Sequence, residues 1–147
     1  MNPRRSEAGT ALVEVTWLSI LFLVPLLYVV LAVFEVQRAA FAVNAATRAA
    51  GRAYTLAPSE AQAPARAHAA AQVALADQGL GMGAAVLDTT CRPDPRDCLS
   101  PGSVIRVRMT YQVALPLMPD ALGGDTPSVR VVADQTVPYG TFRENRP

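Results

Sequence analysis

The sequence predicts an α+β chain. A long N-terminal helix crosses a membrane and continues outside it, followed by a small domain of one helix and a three-stranded antiparallel sheet. Three observations carry this prediction. Residues 15–34 form an uncharged apolar run of 20 residues. Beyond it, Val36, Ala40, Val43, Thr47, Ala50 and Tyr54 recur at alternating spacings of four and three, the pattern of one helical face. After Gly79 the period changes to two, as in half-buried strands.

At about 1.5 Å of rise per residue the apolar run makes a helix of roughly 30 Å, the thickness of a bilayer's hydrocarbon core. A cleavable secretory signal would use a shorter core of about 7–15 residues. The small-x-small triplet it offers, Ala40-Phe41-Ala42, is also separated from the run by Glu35, Gln37 and Arg38. The run is therefore expected to be a permanent anchor, with membrane lipid as its partner. Arg4 and Arg5 precede it, but Arg38, Arg48 and Arg52 follow closely, so arginines alone do not set its orientation. The short N-terminal segment and a distal cysteine pair favour a cytoplasmic N-terminus. The expected location is the cytoplasmic membrane, single-pass, with the C-terminal domain outside.

One helix over residues 10–54 is predicted, with its membrane-spanning segment at 15–34. Pro25 removes the bond to the Leu21 carbonyl and clashes with it, which predicts a kink or local unwinding. Gly51 weakens the helix slightly, and Ala57-Pro58 ends it. The stripe of small residues is a close-packing surface, either for the chain's own outer domain or for a neighbouring helix.

Residues 55–63 are expected as a linker, and 64–142 as the outer domain. Its helix covers 64–78, with Pro64 at the first position and Gly79 just past the end. Ser59-Glu60-Ala61-Gln62 matches a capping box, but a start there would put Pro64 inside the helix. His68 has no metal-ligating neighbours and belongs on the surface. Strands are expected at 84–91, 104–115 and 129–137, with Pro116-Leu117-Met118-Pro119 closing the second and a loop from Gly123 to Pro127. In the second, Ile105, Val107, Met109, Tyr111, Val113 and Leu115 share one face, and Arg106, Arg108, Thr110 and Gln112 the other. A sheet with one apolar face should cover a helix on that side. Residues 143–147 are a tail.

Composition excludes some functions. Net charge is +1, and all thirteen basic residues are scattered arginines, so the clustered cations of a nucleic-acid interface are missing. No Gly-rich phosphate loop, nucleophile with a histidine partner or paired carboxylates can be read, so an enzyme is not expected, nor any cofactor. Asp94 and Asp97 are turn residues. Cys91 and Cys98 bracket a proline-rich turn. Zinc would require more thiols or histidines at short spacing, so a local disulfide is expected, with two neighbouring free thiols as the alternative. Closing so short a loop stabilises by roughly 2–3 kcal/mol in the chain-entropy model.

Glu14 is the residue to explain. A carboxylate at the edge of an apolar run can simply mark where a helix leaves the lipid. Its spacing from Gly9 offers more. A cut after Gly9 would free an ammonium on Thr10, and residues 10 and 14 are i, i+4 neighbours on a helix. A carboxylate buried in a helical fibre needs such a counter-charge. Gly9 has no side chain for a narrow protease site to exclude.

Gly9-Thr10-Ala11-Leu12-Val13-Glu14, the apolar run, Ala49-Ala50-Gly51-Arg52-Ala53-Tyr54 and Pro101-Gly102-Ser103-Val104 with Thr110-Tyr111 resemble the TadE-like minor pseudopilins of tight-adherence (type IVc) pilus systems. The resemblance covers most of the chain. It departs from the family in having Val15 rather than an aromatic residue after the acid, and Glu7-Ala8 rather than a basic residue before the glycine. It implies a leader of residues 1–9, cleavage by a prepilin peptidase between Gly9 and Thr10, and Glu14 as the pilin-type acid. It further implies partnership with other pilin-like subunits and the pilus assembly platform. The competing expectation, from a different class, is a membrane-anchored extracytoplasmic binding module for a cell-wall or protein ligand.

Overall fold

The structure, a computed structural model, describes residues 7–115 and 127–146. Residues 1–6 of the expected leader, the turn at 116–119 and most of the expected loop at 123–127 lie outside the described residues. The chain divides into two compact units, Met1–Phe34 and Glu35–Pro147. Helix α1, Glu7–Thr55, contributes to both.

Among the described residues of the first unit, α1 is the single element. The helix runs through Pro25 without interruption, so the missing bond to the Leu21 carbonyl does not unwind it.

In the second unit, residues 35–55 of α1 pack through a wider face than the predicted stripe. Val43, Thr47, Ala50 and Tyr54 are buried as the spacing requires, and Ala39, Ala42 and Ala46 are buried beside them. Helix α2, Ala63–Ala76, buries every fourth residue: Ala63, Ala67, Ala71 and Leu75. Its two ends fix its direction. The residues just before it meet α1 at Tyr54, whose hydroxyl donates to Glu60. Just past its end, a methyl placed on Gly79 would lie 3.8 Å from Arg38 Nη1. Helix α2 therefore runs antiparallel to this part of α1. Alanines on both buried faces keep side chains short and allow close approach.

Pro64 sits in the first turn of α2, as its fixed φ favours. The expected end at 78 overshoots the observed one: α2 ends at Ala76 with Asp77 as its C-cap, and residues 77–79 are turn. Leu80 N–H bonds to the Leu75 carbonyl at 3.0 Å and Gly79 N–H to the Ala76 carbonyl at 2.9 Å, with Gly79 at φ +70°. This is a Schellman closure, which needs a left-handed residue at that position.

Strands β1 (Ala85–Arg92), β2 (Val104–Ala114) and β3 (Ser128–Pro138) form one antiparallel sheet in the order β1-β2-β3. The register puts Leu87, Met109 and Ala133 in one row, and all three belong to or pack on the core. The alternation in β2 is as predicted from Ile105 to Val113. Leu115 lies one residue past the strand and is half-buried. The apolar face covers α1. A Cβ on Gly51 would approach Val137 Cγ2 to 2.9 Å and Val107 Cγ2 to 3.8 Å. Glycine is thus required for helix and sheet to come this close.

Candidate functional site

The N-terminal unit holds the residues that sequence reasoning singled out. Gly9, Thr10 and Glu14 all lie on the helical backbone of α1, so residues 10 and 14 have the i, i+4 relation. Glu14 is exposed, and no charged residue follows it until Glu35. The large apolar side chains between them are exposed on all sides. Two hydroxyls in the stretch satisfy themselves on the helix: Thr16 Oγ1 donates to the Leu12 carbonyl and Ser19 Oγ to the Val15 carbonyl, each at 2.8 Å. Such back-bonding makes a polar side chain tolerable in lipid. Among the described residues one helix, Ala11–Thr55, is long and apolar enough to cross a membrane, and none of its most apolar window is buried.

The second feature is a clasp around the end of α1. Cys91 and Cys98 form a disulfide, bridging a turn in which Asp94 Oδ1 accepts the Arg96 N–H at 2.9 Å. The turn presents its backbone to Glu60. Leu99 N–H donates to Glu60 Oε2 at 3.0 Å, and Tyr54 Oη donates to Glu60 Oε1 at 2.8 Å. Burial, then the Glu60 bond, then the charge of that carboxylate raise the Tyr54 phenol well above its ordinary pKa.

Residues 143–146, expected as a tail, close the same structure. Arg143 Nη1 donates to the Thr55 carbonyl at 2.8 Å and Arg146 Nη1 to the Ala57 carbonyl at 3.0 Å. Cations at carbonyls left over by a helix C-terminus are favoured by its dipole. Arg146 N–H also reaches the Leu99 carbonyl, and the Arg146 carbonyl accepts from Glu60 N–H. Arg143 lies over the Tyr139 ring, 5.2 Å from its centroid. The clasp therefore ties three separated segments together: residues 54–60, 91–99 and 139–146.

The third feature is the solvent face of the sheet. Asp88, Arg108 and Asp134 are cross-strand neighbours. Asp134 accepts from Arg108 Nε at 2.9 Å and from Arg106 Nε at 3.1 Å. The Arg108 bond first, helped by the charge of Arg106, holds the Asp134 carboxyl below its usual value. These groups are exposed and neutralise one another. They border a shallow cavity of about 190 Å³ lined by Asp88, Thr90, Arg106 and Arg108.

The structure thus brings Cys91 and Cys98 together and keeps Gly9, Thr10 and Glu14 on one helix, while His68 is exposed on α2. Among the described residues no group of three His, Cys, Asp or Glu could hold a metal. Sequence reasoning missed Glu60, Arg143 and Arg146. Glu60 was visible only as part of a capping-box match, yet Ser59 makes no side-chain cap. Its partner Leu99 is 39 residues away, beyond any local signal. Comparison of the chain with protein-family models, with curated proteins and with solved structures found no match.

Proposed function

We propose that this chain is a TadE-like minor pseudopilin that assists assembly of a tight-adherence-type pilus or secretion system. The observation that carries the reading is Glu14, set five residues after Gly9 on a helix whose next 20 residues are uncharged and apolar. In this reading a prepilin peptidase removes residues 1–9 and the new Thr10 amine becomes the counter-charge of Glu14. The helix anchors the subunit in the cytoplasmic membrane and offers itself to other pilin-like subunits and the assembly platform. The disulfide supports placing the outer domain in an oxidising compartment, with the N-terminus in the cytoplasm.

Processing tests the reading directly. Co-expression with the cognate prepilin peptidase yields a protein whose mass spectrum starts at Thr10, and Gly9→Val abolishes the shift. An intact N-terminus, with the peptidase active on a control pilin, overturns the proposal and favours a plain membrane-anchored binding module.

A further inference from the structure

Among the described residues strand β3 pairs with β2 alone, so the other edge of its eleven residues has no strand partner there. An open edge presents unpaired N–H and C=O groups to any extended chain. Proteins usually blunt such edges, and this one is bounded by arginines. Where α1 overhangs the end of β3, Arg48 and Arg52 enclose with residues 135–138 a cavity of about 250 Å³. The same two arginines border an open groove on α1 floored by Ala45, Ala49 and Leu56. Arg130, farther along β3, is also exposed.

Charge states what this surface lacks. The ion pairs among the described residues join Arg38 to Glu35, and Arg106 and Arg108 to Asp134. Arg48 and Arg52 have none with another described residue. They are an i, i+4 like-charge pair, which is unfavourable on a helix. The helix dipole accounts for Arg52, in the last turn, but acts only over that turn. The acid of β3, Asp134, lies on the solvent face of the sheet and is already shared by Arg106 and Arg108. Carboxylates reaching the cavity from outside would relieve the repulsion.

We infer that the open edge of β3 is a docking site for an extended, acidic segment of a partner protein. The segment adds a fourth strand. Its backbone takes up the free groups of β3, and its inward-facing carboxylates enter the cavity against Arg48 and Arg52. Main-chain bonds supply affinity and the alternate side chains supply selection. The inference concerns the outer domain alone and stands apart from the leader reading, so failed processing would leave it intact.

The test uses the full chain in neutral detergent micelles. Its probe is a fluorescent ten-residue peptide alternating glutamate and valine, with a glutamine-for-glutamate control. Anisotropy measures binding, and amide hydrogen exchange reports protection along residues 128–138. The glutamate peptide binds, the control binds more weakly, and protection rises in β3. Arg48→Gln with Arg52→Gln weakens binding about tenfold, the scale of two partly exposed ion pairs. The variant side chains are exposed, so its fold is preserved and circular dichroism checks this. Absence of binding overturns the inference, as does binding that leaves β3 unprotected or that the double variant does not change. Two other occupants also overturn it: protection that rises with protein concentration alone, which indicates a second copy, and arginine-dependent adhesion to anionic vesicles without peptide competition.

Discussion

Tyr54 and Glu60 are six residues apart, on opposite sides of the break between the two helices, and are joined by a 2.8 Å hydrogen bond. Because Glu60 also accepts from Leu99, this bond links the end of α1 to the disulfide-bridged turn. Glu60→Ala leaves a buried phenol and a backbone N–H without their acceptor. The expected loss is about 2–3 kcal/mol, since bonds to a charged acceptor are the stronger kind. Urea denaturation at neutral pH measures it.

Tyr54 also sets an alkaline limit. Its pKa is raised in the folded chain, so the unfolded chain releases that proton first. The unfolded state then binds fewer protons, and stability falls as pH rises. The contribution is complete below about pH 10, the ordinary tyrosine value, and is lost progressively above it. Denaturation profiles from pH 8 to 11 should show a steeper alkaline decline for the native chain than for Tyr54→Phe.

Gly51 is set by its neighbour rather than by helix propensity. Alanine is the better helix former by about 1 kcal/mol, yet its Cβ would press on Val137 Cγ2 at 2.9 Å. A β-branched side chain has little freedom to yield. Gly51→Ala is expected to destabilise by about 1 kcal/mol despite the propensity gain. Adding Val137→Ala should recover part of the loss, and a double-mutant cycle by thermal denaturation reads that coupling.

Removing the disulfide should open the clasp. Cys91→Ser with Cys98→Ser is expected to cost roughly 2–3 kcal/mol and to raise hydrogen exchange at Leu99 and in residues 55–60. Non-reducing mass spectrometry of the native chain should find Cys91 linked to Cys98 within one molecule.

Glu14→Ala should leave membrane insertion intact, because an apolar residue only lengthens the greasy run. Under the proposed pseudopilin reading, pilus assembly should nevertheless fail, since the packed fibre would hold an unpaired ammonium. Glu14→Asp should be partly defective, as its side chain is shorter. Normal piliation at wild-type protein levels would return Glu14 to a simple membrane-edge residue.

What the residues determine by themselves is whatever their own spacing encodes. The uncharged run, the three–four recurrence to Tyr54, the two-residue alternation from Ile105 to Val113 and the cysteines flanking a short turn each state a local geometry. Backbone periodicity maps such patterns directly onto faces. The tertiary structure alone decided which faces meet and which groups pair. Ala39, Ala42 and Ala46 widen the buried face beyond the predicted stripe, and only packing in the folded domain set that width. Gly51 is explained by Val137, Glu60 by Leu99, and Arg143 by the Thr55 carbonyl 88 residues earlier. In each case a close approach between distant segments exists only once the chain has folded, so no window of sequence contains both partners.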